Sequence, residues 1–271
     1  GYNDSNYPDV TPERDGKRLI VQPNTFNMYC HREPRFYLTV VWNGQWFKWE
    51  NRNTNFLYGQ PDGGPTHDAP QNGYLNRSRV SLDYIPRDNN HPYRPAIIFR
   101  MAEAYLSYAE ALNESSERMS HKQEILDNLN KIRHRAGIAE YGTGTDENGF
   151  TRIKINFSDQ KEVRRLIHKE RRVEFVGEGV RYHDLRRWKT AHYGIGNLNE
   201  QGENPDWGVN GPDYGMNYYG TEYTDQGDNA FFKRTKYMDR VYPRKFYWYP
   251  IHQSEIDKDP TLVQGPFWLG E

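Results

Sequence analysis

The sequence predicts a mainly α-helical protein, with antiparallel helical hairpins packed with a loop-rich lobe that contains few short strands. Three observations carry this expectation. Apolar side chains recur at steps of three and four between residues 95 and 190. The flanking segments 1–94 and 191–271 are dense in Gly, Pro, Asn and Asp. A short stretch, Phe36 to Trp42, has the β-branched and aromatic character of a strand. The chain is therefore expected to divide into a loop and strand lobe (1–94), a helical core (95–190) and an aromatic loop-rich lobe with a closing tail (191–271).

Taken in order, residues 1–35 are polar and without periodicity, and read as loop. Phe36–Trp42 reads as one strand ending at the turn Asn43-Gly44, with Gln45–Trp49 as its candidate hairpin partner. Between 59 and 73, Pro61, Gly63, Gly64, Pro65, Pro70 and Gly73 exclude a regular element. Pro95 opens a helix whose stripe is Ile98, Met101, Tyr105, Tyr108 and Leu112, with Ala102 and Ala109 small enough for a neighbour to approach closely. Ser120 is placed to cap a second helix through Ile125, Leu129, Ile132 and Ala136, which Gly137 ends. Residues 141–151 form a loop. Asp159 and Glu162 make a capping box for a third helix through Val163, Leu166 and Ile167; Gly177 and Gly179 interrupt it, and Tyr182, Leu185 and Trp188 mark a fourth. Short connections between four such helices predict antiparallel pairs of the tetratricopeptide type. From 191 to 248, Gly, Asn, Asp and Tyr dominate, and so long an aromatic loop in a compact domain points to function rather than disorder.

Charge and composition bound the chemistry. Lys plus Arg is 36 and Asp plus Glu 37, so the broad positive field of a nucleic-acid binder is missing. Apolar residues are only 35% while aromatics reach 15%, with 21 Tyr and 7 Trp. Rings with polar tips suit half-wet sites where a ligand is stacked and hydrogen-bonded, although they also simply cover surface. Cys30 is the only cysteine, which precludes an internal disulfide and cysteine-based zinc sites. His-Glu-x-x-His, Gly-x-Ser-x-Gly, nucleotide-loop and EF-hand patterns are absent, and Asp225–Asn229 reads as a solvated turn. No metal or cofactor is expected. No apolar run approaches the roughly 20 residues of a membrane span. The polar opening Gly1-Tyr2-Asn3-Asp4-Ser5 is unlike a signal peptide and reads as an internal cut point.

The densest charged constellation runs from Glu170 to Trp188. Glu170 and Glu174 continue the inward stripe of Val163 and Ile167, a position that is costly for a carboxylate unless it is paired. With Arg181, Asp184 and Arg186 they are expected to form a structural ion network, arginine holding the carboxyl pKa values down. The alternative is a glycoside hydrolase using Glu170 or Glu174 with Asp184, which would require an open cleft at these groups. The aromatic candidates for ligand binding are Trp42, Trp46, Trp49, Tyr58 and Tyr74, of which at least one Trp belongs to the core.

These segments together resemble the SusD/RagB family. Arg100-Met101-Ala102-Glu103-Ala104-Tyr105-Leu106 followed by Tyr108–Glu114, Leu129-Asn130-Lys131-Ile132-Arg133 with Arg135-Ala136-Gly137, and Glu170 to Trp188 are similar to three ordered family motifs. Pro34-Arg35-Phe36-Tyr37 with Asn43-Gly44, and Tyr249-Pro250-Ile251 with Gln253, Glu255, Pro260, Leu262 and Gln264, resemble its strand and closing stretch. His252, Asp259 and Gly265-Pro266-Phe267 depart from that closing pattern. The resemblance implies tetratricopeptide-like helical pairs and a lipid-anchored protein on the outer-membrane surface. It implies a non-enzymatic role, capturing oligosaccharides, or less readily peptides, for a SusC-like TonB-dependent transporter. It also implies that the chain is the C-terminal portion of a longer protein, with the lipid anchor in the missing part.

Overall fold

The computed structural model describes residues 21, 24–47, 50–78, 80, 88–89, 91–93, 96–194 and 208–268. Among these the chain is mostly helical, with short two-stranded pairings and long ordered loops. It divides into two compact units: residues 1–178 with 216–233, and residues 179–215 with 234–271. This division runs through the helical segment between 95 and 190.

The helices follow the periodic pattern. Helix α1 is Pro34–Thr39, α2 is Met101–Glu114, α3 is Lys122–Arg135 and α4 is Gln160–Glu174, all in the first unit; α5, Val180–Arg187, and α6, Gln253–Lys258, lie in the second. Asp159 caps α4 as expected, accepting the backbone N–H groups of Lys161 and Glu162. Ile125, Leu129, Ile132 and Ala136 form the buried stripe of α3. Gly137, at a φ of +67°, ends α3 in the left-handed conformation that a side chain resists. Ser120 does not cap this helix: His121 holds the capping position, and the Ser120 hydroxyl bonds back to the Glu117 carbonyl.

Helix α2 packs against both α3 and α4, but with a face one residue away from the expected stripe. Ala102, Leu106, Ala109, Glu110 and Asn113 are buried, while Ile98, Met101 and Tyr108 are exposed. Two close helix neighbours favour the small side chains of Ala102 and Ala109 at the contact, so the bulky residues turn outward. Pro95 lies outside the described residues, and α2 begins at Met101.

The strand expected at Phe36–Trp42 is mostly helix. Pro34 at the first helical position starts α1, and only Val40–Trp42 is extended, as β1. Strand β1 pairs not with its sequence neighbour but with β4, Tyr74–Asn76, opposing Trp42 to Tyr74. Strand β2, Trp46–Phe47, pairs with β3, Arg52–Asn53. In the second unit β5, Gly211–Gly215, and β6, Thr235–Arg240, form an antiparallel pair within the segment read as loop. The core of the first unit's irregular lobe is aromatic: Tyr29, Tyr37, Trp42, Phe56, Phe231 and Phe232 are buried together.

Candidate functional site

The side chains with functional potential in the first unit fall into two groups, one buried and charged and one exposed and aromatic. The charged group is built on α4, where Glu170 and Glu174 lie one turn apart on the buried face. Arg35 from α1 reaches both, at 2.7 Å from Glu170 Oε1 and 2.9 Å from Glu174 Oε2. Arg133 of α3 donates to Glu170 Oε2 at 2.9 Å, and Arg100 and Arg135 both donate to Glu174 Oε1. Arg100 also forms a bidentate pair with Glu178, at 2.9 and 2.8 Å. The Glu174 side chain is only 1% exposed. Burial alone would raise its carboxyl pKa, but hydrogen bonds from Arg100 and Arg35 outweigh that and hold it below the ordinary 4.5.

A depressed folded-state pKa has a definite consequence for acid stability. The contribution of Glu174 is fully present above 4.5 and is lost as pH falls through the lower folded-state value. Denaturant midpoints measured in steps from pH 6 to pH 3 are expected to fall chiefly below 4.5, and less steeply in Glu174→Gln.

Arg35, Arg100, Arg133 and Arg135 are partners of this cluster that the sequence does not point to. Asp184 and Arg186 belong to the second unit, where Asp184 is buried and pairs with Arg187 at 2.9 Å. Arg186 donates to the Tyr182 hydroxyl at 2.5 Å and to the Tyr247 carbonyl at 2.7 Å, and lies over the Tyr182 and Tyr249 rings. Arg181, also on α5, is half-buried. The spacing along α4 and α5 suggested local partners, whereas Arg35, Arg100, Arg133 and Arg135 arrive from distant segments. Glu170, Glu174 and Asp184 are each buried, so the open carboxylate cleft that a glycosidase needs is not formed by them.

The aromatic candidates part company as well. Trp42 is 0% exposed, with Tyr29, Phe36 and Tyr37 rings at 5.5–5.7 Å, so it is core and not a stacking surface. Tyr74, its cross-strand partner, packs edge-on against Tyr29, and burial pushes its phenol up to about 12. Trp46 is half-buried on β2, and Trp49 lies outside the described residues. Tyr58 is half-buried and joins two residues of the 191–248 segment, Tyr218 and Tyr219, that the sequence does not single out as ligand-binding. Its ring lies 6.0 Å from Tyr218 and 5.5 Å from Tyr219, which are 5.1 Å apart and nearly perpendicular. Tyr219 is 70% exposed.

This cluster is fixed by backbone bonds rather than by regular structure. The Tyr58 N–H donates to the Gly220 carbonyl at 2.8 Å, tying the 55–64 turn to the 217–220 turn. Asn217 is buried, accepts the Tyr219 N–H, and donates to the Asp228 and Ala230 carbonyls. Arg52 clamps Asp62 at 2.6 and 2.8 Å, and Asp62 in turn accepts the Asn55 N–H. At Gly64 a Cβ would stand 2.5 Å from the Tyr218 ring, so only glycine lets that ring lie against the backbone. Three rings in mutual contact, with Tyr219 projecting into solvent, present apolar faces and hydroxyl groups of the kind that stack on and hydrogen-bond a ligand. The signal in the sequence was the pair Tyr218-Tyr219 between Asn217 and Gly220.

The helical scaffold with an irregular lobe packed beside it is the architecture of a known class of protein. The chain belongs to the SusD family, whose sequence pattern matches residues 4–268. A SusD-like protein of Formosa agariphila, P25, is 32% identical over 109 residues, which are 40% of this chain and 18% of that protein. A second from the same organism, P38, is 32% identical over 103 residues, 38% of this chain and 19% of that one. Among solved structures, a SusD-like protein from Bacteroides fragilis is 26% identical, with a TM-score of 0.63 over 89% of this chain and 40% of the other. A SusD-like carbohydrate binding protein from the same species has the same fold, with a TM-score of 0.56 at 23% identity over 88% of this chain and 42% of the other. The chain thus spans well under half the length of these relatives. The mainly α, tetratricopeptide-like architecture is the one they share.

Proposed function

We propose that this chain is the C-terminal portion of a non-enzymatic, cell-surface nutrient-binding lipoprotein that captures oligosaccharides for a SusC-like TonB-dependent transporter in the outer membrane. The observation that carries the ligand-capture reading is the Tyr58–Tyr218–Tyr219 cluster, with its projecting ring and its backbone anchoring. Family membership supports the uptake role, and the carbohydrate-binding relative supports the ligand class. The burial of Glu170, Glu174 and Asp184 supports a role without glycosidase chemistry. Transporter docking and the surface location rest on the family. Among the described residues, no helix is long and apolar enough to cross a membrane.

Calorimetric titration with a panel of neutral and acidic hexasaccharides tests the reading. Tyr219→Ala is expected to weaken the best binder five- to hundredfold, about 1–3 kcal/mol for a projecting aromatic anchor, with an unchanged melting temperature. Binding of peptides in place of every glycan would overturn the ligand class, and undiminished glycan binding in Tyr219→Ala would overturn the site.

A further inference from the structure

The first unit holds a cleft that this role does not use. It is a cleft of about 880 Å³ between α3 and the loop that follows it, and none of Tyr58, Tyr218 and Tyr219 lines it. Its volume lies within the roughly 300–1,000 Å³ typical of small-ligand sites.

Both walls are fixed before any ligand arrives. The Asn130 side chain donates to the Tyr141 carbonyl at 2.9 Å and accepts the Tyr141 N–H at 2.8 Å, as a neighbouring strand would. Arg133 holds the Ala139 carbonyl at 2.6 Å and lies 4.1 Å over the Tyr141 ring. Buried Asp146 gathers the N–H groups of Glu140, Asn148 and Phe150 at 2.8–3.1 Å. Arg118 ties down the far end through the Phe157 carbonyl at 2.6 Å. A loop so anchored presents its side chains without first being ordered, which removes part of the entropic cost of binding.

The lining also selects a ligand chemistry. Glu140 is occupied by Arg152, at 2.9 and 3.1 Å, and by His134 at 3.3 Å, so its charge is compensated within the wall. Asp127 and Lys131 from α3 and Thr143, Glu147 and Lys154 from the loop are exposed around the cleft, with Tyr105 beside Lys131 at 4.5 Å. Acceptors and donors are thus interspersed around an aromatic ring. Two carboxylates repel a polyanionic chain, and two ammonium groups repel a polycationic one. A neutral sugar satisfies both kinds of group, because each hydroxyl donates and accepts.

We infer that this cleft is a second glycan site, on the helical scaffold, for a neutral oligosaccharide segment. It shares only its ligand class with the proposed function. The test follows the backbone amides of Gly142, Thr143 and Gly144 by NMR in the full chain, during titration with maltohexaose, cellohexaose, xylohexaose, mannohexaose and hexagalacturonate. A mixed-charge hexapeptide is titrated in parallel. At least one neutral hexasaccharide is expected to move these amides saturably, both in the wild-type chain and in Tyr219→Ala. Asp127→Ala and Lys131→Ala, both at exposed positions, are each expected to weaken that response at least fivefold with the melting temperature unchanged. Amides that stay silent to all four neutral sugars would overturn the inference, as would a response only to hexagalacturonate or the peptide. Silent amides with glycan binding lost in Tyr219→Ala would sink the cleft and spare the tyrosine cluster. Responsive cleft amides, with a glycan response at the Tyr58 and Gly220 amides that Tyr219→Ala leaves unchanged, would do the reverse.

Discussion

Glu174→Ala is expected to lower the stability of the first unit by about 3 kcal/mol, the largest loss among single substitutions of charged residues here. Removing one member of a buried ion cluster leaves the opposite charges desolvated and uncompensated, a loss of roughly 3–5 kcal/mol. Three guanidinium groups, from Arg35, Arg100 and Arg135, converge on this carboxylate. The lower end of the range is favoured because each has another outlet. Arg100 keeps Glu178, Arg35 keeps Glu33 and Glu170, and Arg135 is 57% exposed and can turn to water. At roughly 2–4 °C per kcal/mol for a domain of this size, the melting temperature should fall by about 6–12 °C. Glu114→Ala is the control. Its pair with Arg164 at 2.5 Å is partly exposed, and its loss should cost less than about 1 kcal/mol. Equal effects in the two variants, measured by urea denaturation, would mean that the α4 carboxylates do not organise the scaffold.

The second large effect is expected at Trp42. Truncating a fully buried tryptophan removes its transfer free energy and leaves a cavity, so Trp42→Ala should destabilise by roughly 3–5 kcal/mol. The surrounding rings come from two segments, Tyr29 from the turn before α1 and Phe36 and Tyr37 from α1 itself, and they also contact one another, which limits how far the site can collapse. Trp42→Phe keeps most of the apolar volume and should cost markedly less. At a temperature where Trp42→Ala remains folded, its glycan affinity should match the wild type, because the indole has no exposed surface. Reduced affinity with unchanged stability would instead place Trp42 at the ligand.

These two positions also show how far sequence reasoning reaches. The helices α2 to α5 were legible because their period is local: caps, glycines and apolar steps act within a few residues. The face buried by α2 was not, since nothing in its own sequence says that two neighbours approach it closely enough to favour Ala102 and Ala109 over Met101 and Tyr108. Helix α1 was hidden because Phe36, Tyr37 and Thr39 favour strands, although Pro34 at the first helical position was a usable signal. The β1 pairing with β4 crosses more than thirty residues and leaves no local mark. The inward-facing glutamates were legible on α4 from their stripe, but their arginines arrive from α1, α3 and the residue preceding α2. Tyr58 meets Tyr218 and Tyr219 only through the fold, since 160 residues separate them.

In the proposed division of labour a charged scaffold holds the fold and a tyrosine surface takes the ligand, and one paired measurement tests that division. Affinity for the best-bound hexasaccharide is compared in folded Glu174→Gln and folded Tyr219→Ala, with the melting temperature of each recorded beside it. The expected result is a lowered melting temperature with retained affinity in the first variant, and the opposite in the second. Abolished binding in Glu174→Gln, alongside full binding in Tyr219→Ala, would contradict the assignment.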